Sequence, residues 1–511
     1  MKNAIVTAHA LFWASFVLTL TAASPNLALA QNPGDKGVYK DSTNVVASAD
    51  WIDASAFWTK VNGHLALPDI CAIIDNILTN NYSGKYPNGA VIDARGLYDS
   101  VDSQVTIACT GTPFDNVNTN PPATTILLPA VTIPISYTWV LPNNTKIVGL
   151  GSRTALSANA ADGTMLSAST SLTGYMIEMG SSNCPSPQGC TSVAVERLDL
   201  DGTQSSTAMG IDNTHSVDSS YVDDVNFHHF SLTGLHIAAA NSGPYSNVTY
   251  AAKSAATCNS SDACPMCVDL EAQTKGLHGV TCLGNATTGQ KVTSQYGPPG
   301  IQVNASNNSI EDVHIEAFWD GIEVGNTSTT QPIGNIVVSN VTGSESNDCS
   351  PCQVTNVVHI CGQHPHDTTD FGECQVTTGT VEDVTILQVT SKVLSSSHAG
   401  TTTVEDDATS TSIQACFTCE LPFSTPFYGL GEPDGGPTAA YSRFAGNPAQ
   451  SGGNYGPQTT PVPTWSVGSA SINGTPCLTV GALYSNIVGS SGNIIYVCTY
   501  TSGGFVWKPI L

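Results

Sequence analysis

Five residues combine acid–base chemistry with a shared spacing: Asp199, Asp201, His228, His314 and Glu316. They fall in or directly after stretches of one frame, apolar-x-x-apolar-x-apolar, at Val195-Glu-Arg-Leu-Asp-Leu200, Val222-Asp-Asp-Val-Asn-Phe227 and Ile310-Glu-Asp-Val-His-Ile315. Successive residues of a strand point to opposite faces. With Leu198, Leu200, Val225, Phe227, Val313 and Ile315 inward, the alternate residues form two outward columns. One holds Asp199, Asn226, Thr281 and His314; the other holds Asp201, His228, Leu283 and Glu316. Strands on adjacent rungs lie about 4.8 Å apart, which brings Asp201 and His228 into reach of each other if their rungs are consecutive. A carboxylate beside an imidazole is a general acid and base pair, and two carboxyls several ångströms apart are what cleavage of a glycosidic bond requires. Outward polar residues are also what any solvated strand carries.

The elements that must position these residues are read from the repeat. The frame returns at Leu277-His-Gly-Val-Thr-Cys282, Ile333-Gly-Asn-Ile-Val-Val338 and Val381-Glu-Asp-Val-Thr-Ile386, six copies in all. Offsets between the middle apolar residues Leu198, Val225, Val280, Val313, Ile336 and Val384 are 27, 55, 33, 23 and 48, and the two long gaps read as doubled rungs. A second marker, Gly before an apolar residue, trails the first at Gly210-Ile211, Gly234-Leu235-His236-Ile237, Gly300-Ile301-Gln302-Val303 and Gly321-Ile322-Glu323-Val324. Each coil thus carries at least two short strands, and strands repeating at this period without helical segments between them indicate a solenoid.

On this frame and these markers, from roughly Ala90 to Leu421, the chain resembles the right-handed parallel β-helix proteins of the pectate-lyase-like superfamily. The resemblance implies an all-β solenoid. It specifies fold far better than activity, because that superfamily includes pectin lyases, polygalacturonases, phage tailspikes and non-enzymatic adhesins. Asp199-Leu-Asp201-Gly202 followed by Asp223-Asp224 is superficially similar to the Asn-Thr-Asp-Gly and Asp-Asp elements of the polygalacturonases. Here, however, Asp223-Asp224 precedes the inward Val225, and the Gly-His-Gly and Arg-Ile-Lys elements are absent. Pectate lyases imply a basic residue near calcium-binding acids; Arg197 is the best-placed one, and pairing with Glu196 or Asp224 is the simpler role for it.

Composition narrows the partners. Lys2, the apolar run Ala8 to Leu20 and Ala28-Leu29-Ala30 before Gln31 form a secretory leader, which places the protein outside the cell or on its surface. No other stretch approaches a membrane span. Sixteen cysteines in an exported chain indicate disulfides, with Cys71–Cys109, Cys184–Cys190, Cys416–Cys419 and Cys477–Cys498 as candidates. Three Cys-x-x-Cys pairs, Cys264 and Cys267, Cys349 and Cys352, Cys416 and Cys419, also have zinc-ligand spacing, with His364 and His366 near the second, but an oxidising compartment favours disulfides. The full chain carries 15 basic and 40 acidic residues, net -25, which excludes nucleic acid as a partner. It also weighs against unaided binding of a polyanion, so neutral or weakly charged glycans are the easier substrates. No cofactor is required. Calcium is admissible at Asp223-Asp224, although the acids Glu196, Asp223, Asp224, Glu311, Asp312, Glu382 and Asp383 recur at turns and suit turn formation.

In chain order, residues 1–30 are the leader, 31–49 a flexible lead-in, and 50–428 the β-helix with an N-terminal cap. Residues 429–463 are a Gly/Pro-rich linker and 464–511 a small C-terminal β module. Pro68 to Leu78 places apolar residues at helix spacing and is the expected capping helix. Two insertions, Ala238 to Thr274 and Thr342 to Gly379, map to flanking loops. Phe318-Trp319 follows the outward strip, where Trp319, with Asn226, is a candidate sugar contact; Trp139 lies in an early coil. The expected function is carbohydrate-active, cleaving an extracellular polysaccharide by hydrolysis or β-elimination on the Asp199, Asp201, His228, His314 and Glu316 face. A non-catalytic adhesion or glycan-binding β-helix is the alternative, and the sequence leaves oligomeric state open.

Overall fold

A computed structural model describes residues 50–58, 60–61, 64–65, 68–81, 89–97, 99–101, 104–117, 121–151, 163–184, 189–253, 265–285, 299–318, 320–325, 331–344, 356–361, 381, 384–392, 402–406, 428–430, 465–468, 483–486, 494–501 and 504–509. The leader, the lead-in, Trp319, the Cys416–Cys419 pair, the Cys477–Cys498 pairing and His364 and His366 lie outside the described residues or their described side chains.

Two parallel sheets make the solenoid. The first runs through the strands Asp50–Asp53, Ala90–Asp93, Thr124–Leu127, Thr145–Val148, Ala194–Asp201, Tyr221–Phe230, Tyr245–Ala252, Leu277–His278 with Thr281–Leu283, Asn308–Glu316, Ile336–Ser344 and Val384–Lys392. The second runs through Trp139–Leu141, Gly174–Met179, Ala208–Asn213, Leu235–Ile237, Val268–Leu270, Ile301–Val303, Asp320–Val324, Asn356–Ile360, Thr402–Asp406 and Tyr428–Leu430. From Gly174–Met179 to Thr402–Asp406 the chain alternates between the sheets, and every pairing within the second sheet is parallel. This is a parallel β-helix, as the repeat indicates.

The x-x of the frame has a conformational cause. Its second residue adopts left-handed backbone geometry at Arg197 (φ 53), Asp224 (φ 54), Asn247 (φ 54), Asp312 (φ 58) and Asn340 (φ 53). The bend consumes one residue and returns the next to the interior, so apolar side chains face inward on both sides of it. Asp and Asn tolerate this geometry because their short polar side chains bond locally. The Asp223 carboxylate accepts hydrogen bonds from Ser246 Oγ at 2.9 Å and Asn247 Nδ2 at 2.9 Å, and Asn340 Nδ2 donates to Asp312 Oδ1. Asp223 and Asp224 thus sit at a stacked turn.

Register confirms the two predicted columns: Asp199 pairs with Asn226 and Asp201 with His228, while Thr281 pairs with His314 and Leu283 with Glu316. The first long gap is a doubled rung, filled by Tyr245–Ala252, with Val248 opposite Val225. The second is not. Ile336–Ser344 pairs directly with Val384–Lys392, so that gap is a single coil lengthened by an insertion. In both of these strands the frame also sits five residues later than expected: Val341, not Ile336, lies opposite Val313, and Val389 lies opposite Val341. Ile333, Ile336 and Val338 are all buried, so the apolar spacing alone admitted two alignments.

The interior is filled by Leu198, Leu200, Val225, Phe227, Val248, Tyr250, Val313 and Ile315 from the first sheet, and by Ile211, Leu235, Val268, Ile301 and Ile322 from the second. Full burial of each such side chain contributes roughly 1.5–3 kcal/mol before the entropy of ordering the chain is subtracted. Trp139 is fully buried in this core, so it is no sugar platform. Gly210 leaves no room for a side chain: a Cβ there would stand 2.1 Å from the Gly234 carbonyl oxygen and 2.4 Å from Phe227 Cδ1.

The expected capping helix is Ile70–Asn76, continued by a wider turn through Ile77–Asn81. Asp69 caps it by accepting from the Ala72 amide, and Ile70, Ile74 and Ile77 are buried. Disulfides Cys71–Cys109 and Cys184–Cys190 form as expected. Cys267 bonds Cys282 across the interior of one coil, from the second sheet's side to the first's, and both are fully buried. That pairing removes Cys267 from any zinc set. Near the C-terminus, Trp465–Gly468, Leu483–Asn486, Ile494–Thr501 and Gly504–Pro509 form a four-stranded sheet. Among the described residues no helix is long and apolar enough to cross a membrane.

Candidate functional site

The outward strip on the first sheet divides into two pairs. At one end His228 Nε2 lies 3.6 Å from Asp199 Oδ1, and both side chains are buried or nearly so. Asp201 turns from His228 to the next residue. Its Oδ1 accepts from Thr203 Oγ1 at 2.6 Å and the Thr203 amide at 3.1 Å, and lies 3.1 Å from His229 Nδ1. Burial pushes the Asp201 carboxyl up, but the bonds from His229 and Thr203 outweigh it and hold it below the usual range. At the other end His314 Nε2 lies 3.6 Å from Glu316 Oε2. Between the pairs the column runs His228, Ala251, Leu283, Glu316. Four rung steps of about 4.8 Å put the carboxyls of Asp201 and Glu316 about 19 Å apart, beyond the separations of about 5–9.5 Å over which two carboxyls act on one bond.

A denser arrangement faces outward on the second sheet. Between its inward apolar residues the register aligns Glu178, Asp212, His236, Asp269, Gln302, Glu323 and His359 on successive rungs. None of the ten strands contains Lys or Arg. Four further contacts converge on His236. Its Nδ1 lies 2.6 Å from Asp212 Oδ1 and its Nε2 3.4 Å from Glu271 Oε2. The Tyr175 ring stacks on the imidazole, with centroids 6.0 Å apart and planes at 15°. Ligand atoms of His236, Asp269 and Glu271 all lie within 4.8 Å of one another, the group of three with metal-binding geometry among the described residues. Asp223 and Asp224 belong to no such group there.

The charges follow from this packing. Burial disfavours a positive His236, but the bonds to Asp212 and Glu271 and the nearby Asp269 outweigh it and hold the imidazole up to about 10. Burial and the Glu271 charge push the Asp269 carboxyl up to about 6, and its Oδ1 is buried with no hydrogen-bond partner. Glu271 moves the other way, held below the usual range by its bond from His236. Burial and Asp212 raise Glu178, and burial among the carboxylates raises the Tyr175 phenol. At near-neutral pH the site therefore holds an imidazolium, a neutral phenol, one carboxyl poised between its forms and one carboxylate kept ionised. Farther along, His359 Nδ1 lies 3.1 Å from Asp320 Oδ2 in a buried pair, and Gln302 Nε2 donates to the Gly325 carbonyl at 2.9 Å.

None of Tyr175, Asp212, His236, Asp269 or Glu271 is among the site residues expected from the sequence. The signal lay in the second marker, where His236, Gln302 and Glu323 each stand between two inward apolar residues after the glycine. The Asp269 rung has Cys267 in place of that glycine and so escaped the pattern.

No protein-family model matches the chain, and no curated protein does. Among solved structures, a tailspike protein variant of E. coli bacteriophage HK620 in complex with a pentasaccharide aligns at 10% identity and TM-score 0.42, over 73% of this chain and 64% of its own. The A-module of a mannuronan C-5 epimerase from Azotobacter vinelandii aligns at 10% identity and TM-score 0.33, over 75% of this chain and 100% of its own. The chain thus spans less than two thirds of the tailspike's length. Its own strand order and register make it a parallel β-helix, the fold implied by the resemblance to the pectate-lyase-like superfamily.

Proposed function

We propose that the protein is an exported hydrolase of a polysaccharide, with its site on the outer face of the second sheet. The observation that carries this reading is the run of Asp212, His236 and Asp269 on three consecutive rungs, with Glu271 and Tyr175 closing on the same imidazole. A solenoid face presents such groups along a line, which suits an extended polymer. Asp269 serves as proton donor to the glycosidic oxygen: it is the carboxyl whose surroundings keep it protonated closest to neutral pH, as glycoside cleavage requires.

Hydrolysis fits better than β-elimination. Elimination needs an unprotonated base at the sugar ring, whereas His236 and Tyr175 are held in their protonated forms and no Lys or Arg lies in the strands of this face. The same lack of cations makes a neutral glycan a better occupant than a polyuronate. Nothing in this mechanism calls for a metal, and calcium remains a dispensable addition. The three described disulfides fit an oxidising compartment outside the cell.

The test incubates the mature protein with plant and microbial polysaccharides, with and without calcium, following reducing ends and the absorbance of unsaturated products. Reducing ends without unsaturation are expected. Unsaturated products would replace the hydrolase with a lyase, and silence with retained glycan binding would replace it with an adhesin.

A further inference from the structure

Resting on that reading, we propose that Glu271 is the nucleophile of the site and that hydrolysis retains the anomeric configuration. Asp269 and Glu271 flank the inward Leu270 and so project from the same face, with carboxylate oxygens within 4.8 Å of each other. Retaining glycosidases hold their two carboxyls about 5–5.5 Å apart, while inverting ones need about 6.5–9.5 Å to seat a water between them.

The wider pairing of Asp269 with Glu323, two rungs away, ends on a carboxyl that is only 1% exposed, and the one with Asp212 is blocked. Asp212 and Asp269 stand two rungs apart, about 9.6 Å by strand spacing. The His236 rung lies between them, its ring bonded to Asp212 on one side and Glu271 on the other and covered by Tyr175. The same imidazolium fixes Glu271: one nitrogen is anchored at 2.6 Å on Asp212, and the other lies 3.4 Å from Glu271 Oε2. The Glu271 side chain is 48% exposed, so its carboxylate is reachable by a sugar ring. His236 acts here as a positioning residue.

In the first step Asp269 gives its proton to the glycosidic oxygen as the bond from that oxygen to C1 breaks. A Glu271 carboxylate oxygen bonds C1 from the opposite side, forming a glycosyl ester and releasing the leaving chain as an alcohol. In the second step the Asp269 carboxylate takes a proton from water, whose oxygen bonds C1 as the ester C1–O bond breaks. This frees Glu271, regenerates protonated Asp269 and leaves the product with its original configuration. Water is the only co-reactant.

The experiment follows early product by proton NMR in D2O, using defined gluco-, xylo-, manno-, galacto- and chito-oligosaccharides of α and β linkage. The new reducing end should first appear in the substrate's own configuration. First appearance of the opposite anomer would overturn Glu271 as nucleophile while leaving hydrolysis standing; no cleavage across the panel would overturn both. Glu271→Ala with sodium azide supplies an independent readout. Azide should raise its turnover at least about tenfold and give a glycosyl azide of inverted configuration, as expected when a small anion replaces a missing nucleophile. A folded variant, with an unchanged melting temperature, that azide does not rescue would contradict the assignment.

Discussion

Replacing His236 by Gln isolates the electrostatics of the site. The imidazolium lies within 4.8 Å of Asp269 and partly offsets the upward push of burial and Glu271 on that carboxyl. Two unit charges at that distance interact by about 0.9 kcal/mol in water and about 3.5 kcal/mol at an effective dielectric constant of 20. At 1.36 kcal/mol per pKa unit, losing the positive charge raises the Asp269 carboxyl by between about 0.6 and about 2.5 units. Asp269 must be protonated to act, so wild-type kcat/KM should fall as pH rises through about 6. In His236→Gln that alkaline limb should move to higher pH by about one unit, with a lower maximum because Glu271 loses its partner. The assay is the pH profile of kcat/KM on a polysaccharide that the wild type cleaves. An alkaline limb that stays in place, or moves to lower pH, would refute the coupling between His236 and Asp269.

Two further predictions concern stability. The folded-state pKa of Asp269, about 6, lies above its ordinary 3.8, so ionising it costs folding free energy that accumulates as pH rises through that interval and stays constant above it. Asp269→Asn should therefore be more stable than wild type at pH 8, by about 3 kcal/mol at most, with the difference vanishing below pH 4 in thermal or urea melts. Equal effects at both pH values would contradict the burial argument. Replacing Cys267 and Cys282 together by Ser should cost about 3 kcal/mol, as expected for a closed loop of the observed separation of 15 residues, and should lower the urea midpoint. An unchanged midpoint would mean that the coil is held by its apolar packing alone.

The solenoid was legible because its repeat obeys a rigid local rule. An inward apolar residue, a left-handed bend and a second inward pair leave a trace that survives in Val195 to Leu200 and in Val222 to Phe227. The same trace failed at Ile333 and Val381, where a second set of buried apolar residues lies five positions before the true frame. Column membership on the first sheet was readable as well. What those columns do was not, because it depends on which rungs intervene: Ala251 and Leu283 separate the two acid–imidazole pairs. The second-sheet site was nearly invisible. Its strands are as short as Leu235–Ile237 and Val268–Leu270, and one outward residue per strand carries no periodicity of its own. Cys267 hid the Asp269 rung further, since Cys-x-x-Cys spacing pointed to Cys264 whereas the inward side chain bonds Cys282 on the opposite sheet.

The most direct test of the site assignment compares Asp269→Asn with Asp201→Asn, on any polysaccharide the wild type hydrolyses, by release of reducing ends. A missing general acid typically costs about 10²–10⁴-fold. Asp269→Asn should fall within that range while Asp201→Asn stays within about twofold of wild type, and the reverse order of losses would move the chemistry to the first sheet and contradict the account.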